Sequence, residues 1–493
     1  MTGTSLGAII VIFLVLAVPL IIGFASRKQA LPTSEDYFIQ GRAMGGVFVF
    51  ATVVTTWWSA FAFLGSNAWF FNRGPLYWTS LGWNIFFGVM YYIIGKRIWY
   101  FGKINKYMTA KDFFAHHYDS RWLANLIAFA MILFTLPNLQ IQLTGGALLI
   151  ETASGGIIPF WMAGLLFYAV IITYVWAGGV RAIAWTDILH GIMLFFGMTI
   201  GGLFIVSILG GHANMFQMLA EVKPQNLQLH PNDWMMWVAM FFVTPIGVLM
   251  GPHMWTRMFA VKSSKIFNLM PFLIGFVAIA YFGSMLTGNS GVILAPDIGR
   301  PDTLFPVLLL EYAPYVFAVL LISCGATAAM STANSQVHSM ASIYALDFHK
   351  VYFNKNLNDN QVVWVGRYAI LVFSAGAYLM NLFATDLLVT IGLFSLSGLA
   401  QVIVPTLGAF FWKRSTKEGA TVGTLLGLLL VIAFQYKWVP LPGPFKTGGG
   451  GLLGLICNAA AFIIVSLLTK PRSQKLIDSI NEQYKGYYSE END

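Results

Sequence analysis

The chain has 493 residues, 57% of them hydrophobic and only 10% charged, with a mean hydropathy of +0.70. Soluble domains carry about 25% charged residues, so an ordinary water-facing globule is excluded. Cys324 and Cys457 both fall in apolar runs and imply no disulfide framework, and no phosphate loop, nucleophile elbow or zinc spacing points to an enzyme.

Apolar runs of bilayer-spanning length, about 20 residues, recur from end to end. They predict thirteen membrane helices, at 5–25, 46–71, 75–95, 121–150, 157–177, 184–208, 234–250, 268–288, 314–346, 362–385, 387–412, 418–436 and 449–469. The first run has no basic stretch before it and is followed by Arg27 and Lys28, the reverse of a signal peptide, so it reads as a retained helix. With the N-terminus outside, cytoplasmic loops hold 23 of the 28 Lys and Arg, Arg257 among them. The outer loops hold only Arg73, Lys223, Arg300, Lys437 and Lys446. The positive-inside rule therefore orients the chain N-out and C-in in the plasma membrane, and the net charge of +8 needs no nucleic acid.

The second span carries Thr52, Thr55, Thr56 and Ser59 around two tryptophans, and the seventh runs into Thr244-Pro245-Ile246-Gly247 and Gly251-Pro252-His253. Proline removes a backbone donor and glycine permits non-helical geometry, so both spans are predicted to be interrupted. Irregular backbone persists in a membrane only where protein or a water-filled cavity surrounds it. Paired broken helices in corresponding positions of two halves mark inverted-repeat transporters and their binding sites. Here the two spans begin 188 residues apart; simple packing kinks are the alternative.

Between these spans, His116 and His117 fall in a polar loop and read as a solvated pair. Asp187 stands at the predicted cytoplasmic start of the sixth span, where it either stabilises the helix N-terminus or draws a cation along an inward path. Beyond the seventh span, Thr303 to Tyr312 is predicted to form a short helix over the external mouth. In the ninth span Ser331, Asn334, Ser335 and His338 recur at i, i+3, i+4 and i+7 and share one face. Hydroxyls with the carbonyls of an unwound helix suit a hard monovalent cation, and neutral ligands avoid a buried carboxylate left unpaired when the ion departs. Asn138 with Gln142 and Ser397 with Gln401 form i, i+4 polar pairs whose alternative use is helix-to-helix hydrogen bonding. The polar tail after Lys470 is too short for a catalytic domain.

Several motifs in order resemble the sodium:solute symporter family. They are Gly41-Arg42-Ala43-Met44-Gly45, Gly178-Gly179 with Thr186-Asp187, Pro252-His253 with Arg257, Ala328-Ala329-Met330-Ser331-Thr332, and Trp412-Lys413-Arg414 leading to Gly419-Ala420, Gly423 and Gly427. The resemblance implies an all-α LeuT-type fold with five-plus-five inverted repeats at about 46–208 and 234–412. An extra helix would precede them at 5–25, two would follow over 418–469, and 470–493 would be a cytoplasmic tail. It implies Na⁺ as coupling ion, no organic cofactor and no obligate protein partner. By position, the family's sodium ligands fall on the carbonyls of Thr55, Trp58 and Ala328 and the hydroxyls of Ser331 and Thr332, with Asp187 beside the exit path.

Trp57 stands where proline-type members carry Asp, and His190 and Gly251 stand where many carry Gln; proline-type substrate aromatics are replaced by Phe61, Asn138, Thr244 and Val248. The segment Gln142 to Glu151 looks most like the pantothenate and monocarboxylate branches. The solute is therefore expected to be a small carboxylate, held by Thr56, Ser59, Asn138, Gln142, Thr244, Ser397 and Gln401 with amides at the helix breaks. Trp57, Phe61, Phe63 and Val248 would meet its apolar part. No Lys or Arg is expected at the midplane. The alternatives are a proline-like or sugar symporter, a channel or facilitator, and a transporter-like sensor.

Overall fold

The computed structural model describes residues 3–26, 28, 31, 33–383, 388–446 and 448–492. Arg27, the end of the predicted 362–385 span, the start of the 387–412 span and Asp493 lie outside the described residues. In chain order the helices are α1 (Gly3–Ser26), α2 (Ser34–Ile39), α3 (Gly46–Trp57), α4 (Ser66–Arg73), α5 (Thr79–Met90), α6 (Lys96–Asn105) and α7 (Ala110–Tyr118). There follow α8 (Arg121–Ala153), α9 (Phe160–Ile208), α10 (His212–Val222), α11 (Trp234–Leu249), α12 (Pro252–Ala260), α13 (Lys265–Val277) and α14 (Tyr281–Leu294). The remainder comprises α15 (Leu304–Tyr312), α16 (Tyr315–Ile343), α17 (Asp359–Leu382), α18 (Leu388–Ala400), α19 (Ile403–Phe411), α20 (Lys417–Gln435), α21 (Gly450–Leu468) and α22 (Gln474–Asn492). Among the described residues there is no strand, only an isolated parallel bridge between Met44 and Val261.

Every predicted span coincides with a helix or a pair of helices. Among the described residues nine helices are long and apolar enough to cross a bilayer, or ten with the bent pair Gly46–Trp57 and Phe61–Asn105 taken together. One correction concerns the loop expected between the fifth and sixth spans: it is reduced to a kink inside α9, whose 49 residues are two helices joined there. At 1.5 Å per residue that is about 74 Å, more than twice a hydrocarbon core, so α9 makes two crossings. They meet at Gly179 (φ 56°, ψ −147°), where a Cβ would lie 2.5 Å from the Tyr37 carbonyl oxygen. Only glycine fits that conformation and that approach.

The two predicted interruptions are present. α3 ends at Trp57, and the next helical segment leaves at a 54° bend after Trp58 (φ −96°, ψ 92°). α11 passes through Pro245 and ends at Leu249, and Gly251 (φ −64°, ψ 142°) is extended before Pro252 opens α12. The second break therefore falls at Gly251-Pro252, later than Pro245. Just before it, a Cβ on Gly247 would stand 2.3 Å from the Leu396 carbonyl oxygen, so this glycine sets how closely α11 approaches α18.

α16 packs against α8 and α9, and α3 lies against α9. Twenty-five of the 29 residues of α16 are buried, Ser331 through Ser342 without exception. A polar stripe in that position must find partners inside the protein. His117, expected in solvent, is instead fully buried among Phe101, Phe113 and Phe410. Burial pulls its pKa down to about 3, which keeps the ring neutral. The short helix expected at Thr303 to Tyr312 is α15, and the tail after Lys470 forms α22, which contacts α6 through an Asn105–Gln483 amide pair.

Candidate functional site

Several backbone groups released by the first break find partners nearby. The Trp58 amide donates to the Val54 carbonyl (2.8 Å), and the Ala60 amide donates to Gln142 Oε1 (3.0 Å). Ser59 Oγ accepts from the Phe61 amide (3.1 Å), so Ser59 caps the outer segment. Trp57 and Trp58 both donate their indole N–H to Asn84 Oδ1, at 2.5 and 2.9 Å. Asn84 is thus the pivot for both tryptophans at the break, and the sequence offers no sign of this beyond an isolated amide in the third span.

The carbonyls left over at the end of α3 face α16. Ser331 Oγ donates to the Thr55 carbonyl at 2.9 Å and to the Ala328 carbonyl at 2.8 Å. Thr332 Oγ1 reaches the carbonyls of Thr55 and Thr56, both at 3.3 Å. Three carbonyl and two hydroxyl oxygens therefore converge between the two helices, a neutral, hard donor set of the kind Na⁺ takes. Of the expected ligands, Thr55, Ala328, Ser331 and Thr332 are brought together, and Thr56 joins them. Trp58 sits at the break itself.

Toward the α12 side lies a buried ion pair. Asp187 is fully buried, eight residues beyond the Gly179 kink, which is outside the single helical turn over which a helix terminus exerts its charge. Its partners, rather than a helix end, hold it: Thr52 Oγ1 donates at 2.5 Å, Arg257 Nη2 stands at 3.4 Å, and His190 Nδ1 at 3.5 Å. Arg257, expected in a cytoplasmic loop, is 2% exposed. This corrects the expectation that Arg257 lies in a loop, while the expected absence of Lys and Arg concerned the solute site rather than this ion pair. Its visible signal was the Pro252-His253-Arg257 motif immediately after a broken span.

Between the two breaks lies a small cavity of about 20 Å³, room for little more than one water. The predicted Thr56, Trp57, Ser59, Phe61, Asn138, Thr244 and Val248 line it, with Thr332, expected as an ion ligand, and with Trp83, His253, Tyr281, Gln336 and Leu396, which sequence reasoning missed. Thr244 Oγ1, His253 Nδ1, Gln336 Oε1 and Trp83 Nε1 are buried there without a hydrogen-bond partner. Among the described residues no Lys, Arg, Asp or Glu lines the cavity.

Several expected contacts fall elsewhere. Gln142 stands behind the wall, its amide spent on Ala60 and on Asn138, the latter at 3.1 Å. Ser397 donates to the Leu393 carbonyl (2.6 Å) and borders a separate cleft. Gln401 bonds the Ser397 carbonyl (3.0 Å) and Asn458 of α21 (2.9 and 3.2 Å), because α18 turns that face toward the last two membrane helices. Phe63 packs on Phe305.

Two broken helices facing each other across a small polar cavity, with a nest of carbonyl and hydroxyl oxygens beside it, have the arrangement of a cation-coupled membrane transporter of LeuT-type fold. The sodium:solute symporter family matches residues 37–427. The chain belongs to that family: it is a sodium-coupled symporter of small solutes, and a transporter rather than an enzyme. It is similar to the sodium/pantothenate symporter of Haemophilus influenzae, with 26% identity over 89% of this chain and 91% of that one. It is equally similar to the sodium/proline symporter of Staphylococcus aureus, with 26% identity over 94% of this chain and 92% of that one. The fold matches the substrate-bound outward-open state of a Na⁺-coupled sialic acid symporter with a TM-score of 0.79 at 20% identity, covering 95% of this chain and 99% of that one.

Proposed function

We propose that the protein imports a small carboxylate-bearing solute, a monocarboxylate or a pantothenate-like acid, together with Na⁺ by alternating access. The observation that carries this reading is Thr332, whose hydroxyl belongs to the oxygen nest and whose side chain lines the cavity. An ion held by Thr332 thereby helps shape the solute's wall. The ion takes the carbonyls of Thr55, Thr56, Trp58 and Ala328 and the hydroxyls of Ser331 and Thr332, and leaves past Asp187. The solute carboxylate takes the unpaired N–H of Trp83 and His253 and the hydroxyls of Thr244 and Ser59, with the indole of Trp57 and the ring of Phe61 against its apolar part. Residues 46–208 and 234–412 form the two repeats, each broken in its first core helix. The chain lies N-out and C-in in the plasma membrane and works without an organic cofactor or an obligate protein partner.

A zwitterionic amino acid is the second reading, favoured by the unpaired Gln336 Oε1, which can accept from an ammonium group. Competition in proteoliposomes separates the two. Short carboxylates should inhibit Na⁺-driven uptake and their amides should not. Inhibition by amino acids or sugars, with simple carboxylates inert, would reject the organic-acid reading while leaving sodium coupling intact.

A further inference from the structure

We propose that Arg257 is the positioning residue through which sodium occupancy reaches the solute cavity. This rests on the sodium-site reading above. Arg257 sits on α12, and its guanidinium spreads over four helices. Nε donates to the carbonyl (3.2 Å) and hydroxyl (2.9 Å) of Thr52 on α3. Nη1 donates to the carbonyl of His253 (2.8 Å) on its own helix. Nη2 reaches Thr56 Oγ1 (2.6 Å) on α3, Ser335 Oγ (2.5 Å) on α16 and Asp187 Oδ2 (3.4 Å) on α9.

These contacts join the two sites. Thr56 follows the sodium carbonyl of Thr55 and also lines the cavity, and Ser335 lies one helical turn beyond Ser331. His253 lines the cavity from the opposite broken helix. A second tie binds the same two half-helices, since the Met44 amide donates to the Ala260 carbonyl (2.9 Å) and the Lys262 amide to the Met44 carbonyl (3.0 Å). The sodium half-helix α3 and the solute-facing half-helix α12 are therefore clamped at two points.

The clamp responds to charge. A Na⁺ at the Thr55 carbonyl adds a second positive charge roughly one helical turn, about 5–6 Å, from the guanidinium. Like charges that close repel strongly inside a protein, which loosens the hold of Nη2 on Thr56 and Ser335 while Asp187 keeps the arginine buried. α12, and His253 with it, then shifts relative to α3. Lysine cannot substitute, because one ammonium with three donors does not span the fixed five-donor fork that this arrangement uses.

The test uses the full chain with Cys324 and Cys457 replaced by serine and Thr244→Cys as a reporter in the cavity wall. Two quantities are read with Na⁺ alone against K⁺: the melting temperature, for ion binding, and the rate at which a small water-soluble maleimide labels position 244, for the cavity. With Arg257 in place, Na⁺ should change the labelling rate by about fivefold or more, the low end of ordinary site-to-site coupling. In Arg257→Lys, and in the charge-balanced double variant Arg257→Gln with Asp187→Asn, Na⁺ should still raise the melting temperature while the labelling response disappears. An unchanged labelling response in either variant overturns the inference. So does loss of the Na⁺ stabilisation, which would make Arg257 part of the ion site itself. Failure of both variants to fold, or no labelling response in the parent, overturns it as well. The sodium-site reading fails separately, and first, if Ser331→Ala leaves the Na⁺-induced melting shift intact.

Discussion

Removal of the Ser331 hydroxyl is the most direct test of the oxygen nest. Ser331 Oγ touches the Thr55 and Ala328 carbonyls at 2.9 and 2.8 Å, and all three groups are buried. Alanine deletes one of two hydroxyl ligands and leaves α16 helical. A neutral hydrogen-bond-strength contact contributes about 0.5–1.5 kcal/mol net, and 1.4 kcal/mol is about a factor of ten in affinity. The half-saturating Na⁺ concentration should therefore rise between about twofold and tenfold in Ser331→Ala. Thr332→Ala should move it in the same direction, whereas Thr332→Ser keeps the hydroxyl and should stay near wild type. The assay is initial uptake, or melting temperature, titrated with NaCl at constant total salt. Wild-type Na⁺ dependence in both alanine variants would refute the assignment. Equal weakening in Thr332→Ser would show that packing, not ligation, is being measured.

Two further outcomes follow from buried groups outside the ion site. Asn84→Leu leaves the indole N–H of both Trp57 and Trp58 unpaired, at about 1–3 kcal/mol each, so the purified protein should melt markedly lower; an unchanged melting temperature would mean the two bonds contribute nothing. Asp302, in the loop before α15, has its pKa pushed by burial from 3.8 to about 6, against the opposing pull of Arg300. Because the folded value is the higher one, this group's stabilisation is complete below pH 3.8 and is lost as pH rises through about 6. Asp302→Asn should thus gain on wild type by on the order of 3 kcal/mol between pH 4 and pH 7.5, read as a widening gap in melting temperature. A gap that stays constant with pH would contradict the burial.

Much of this organisation is legible in residue order, because a bilayer imposes length and backbone satisfaction more strictly than water does. The apolar runs gave the helices, and Gly251-Pro252 with the Thr-rich tryptophan stretch gave both breaks. The oxygen nest was reached through Ser331 on the polar stripe of the ninth span, and Thr332 was added only by the family resemblance. What escaped is what depends on azimuth. Ser397 and Gln401 have the spacing of a binding pair, yet α18 turns them toward α20 and α21. Gln142 has the chemistry of a solute ligand, but the Ala60 amide exposed by the break claims it first. Arg257 escaped because a cation between two apolar runs reads as a loop residue until a carboxylate from another helix is brought to it. His117 escaped in the same way, since the polar residues flanking it in sequence are not those flanking it in space.

The charge inventory of the core yields one more prediction. Asp187 and Arg257 neutralise each other, and among the described residues no other Lys, Arg, Asp or Glu lines the cavity or the oxygen nest. The empty site is therefore neutral, and the loaded site has the charge of its cargo. One Na⁺ with one monocarboxylate sums to zero, whereas one Na⁺ with a zwitterionic amino acid carries +1. Moving one charge through 100 mV is worth about 2.3 kcal/mol, close to a fiftyfold bias in accumulation. In proteoliposomes given an inward Na⁺ gradient, an inside-negative potassium diffusion potential should leave uptake of a carboxylate solute nearly unchanged. For an amino acid the same potential should raise accumulation steeply. Strong stimulation of carboxylate uptake by the potential would mean that more than one Na⁺ accompanies each solute, and that the oxygens around Thr55 and Ser331 do not hold the whole of the coupling charge.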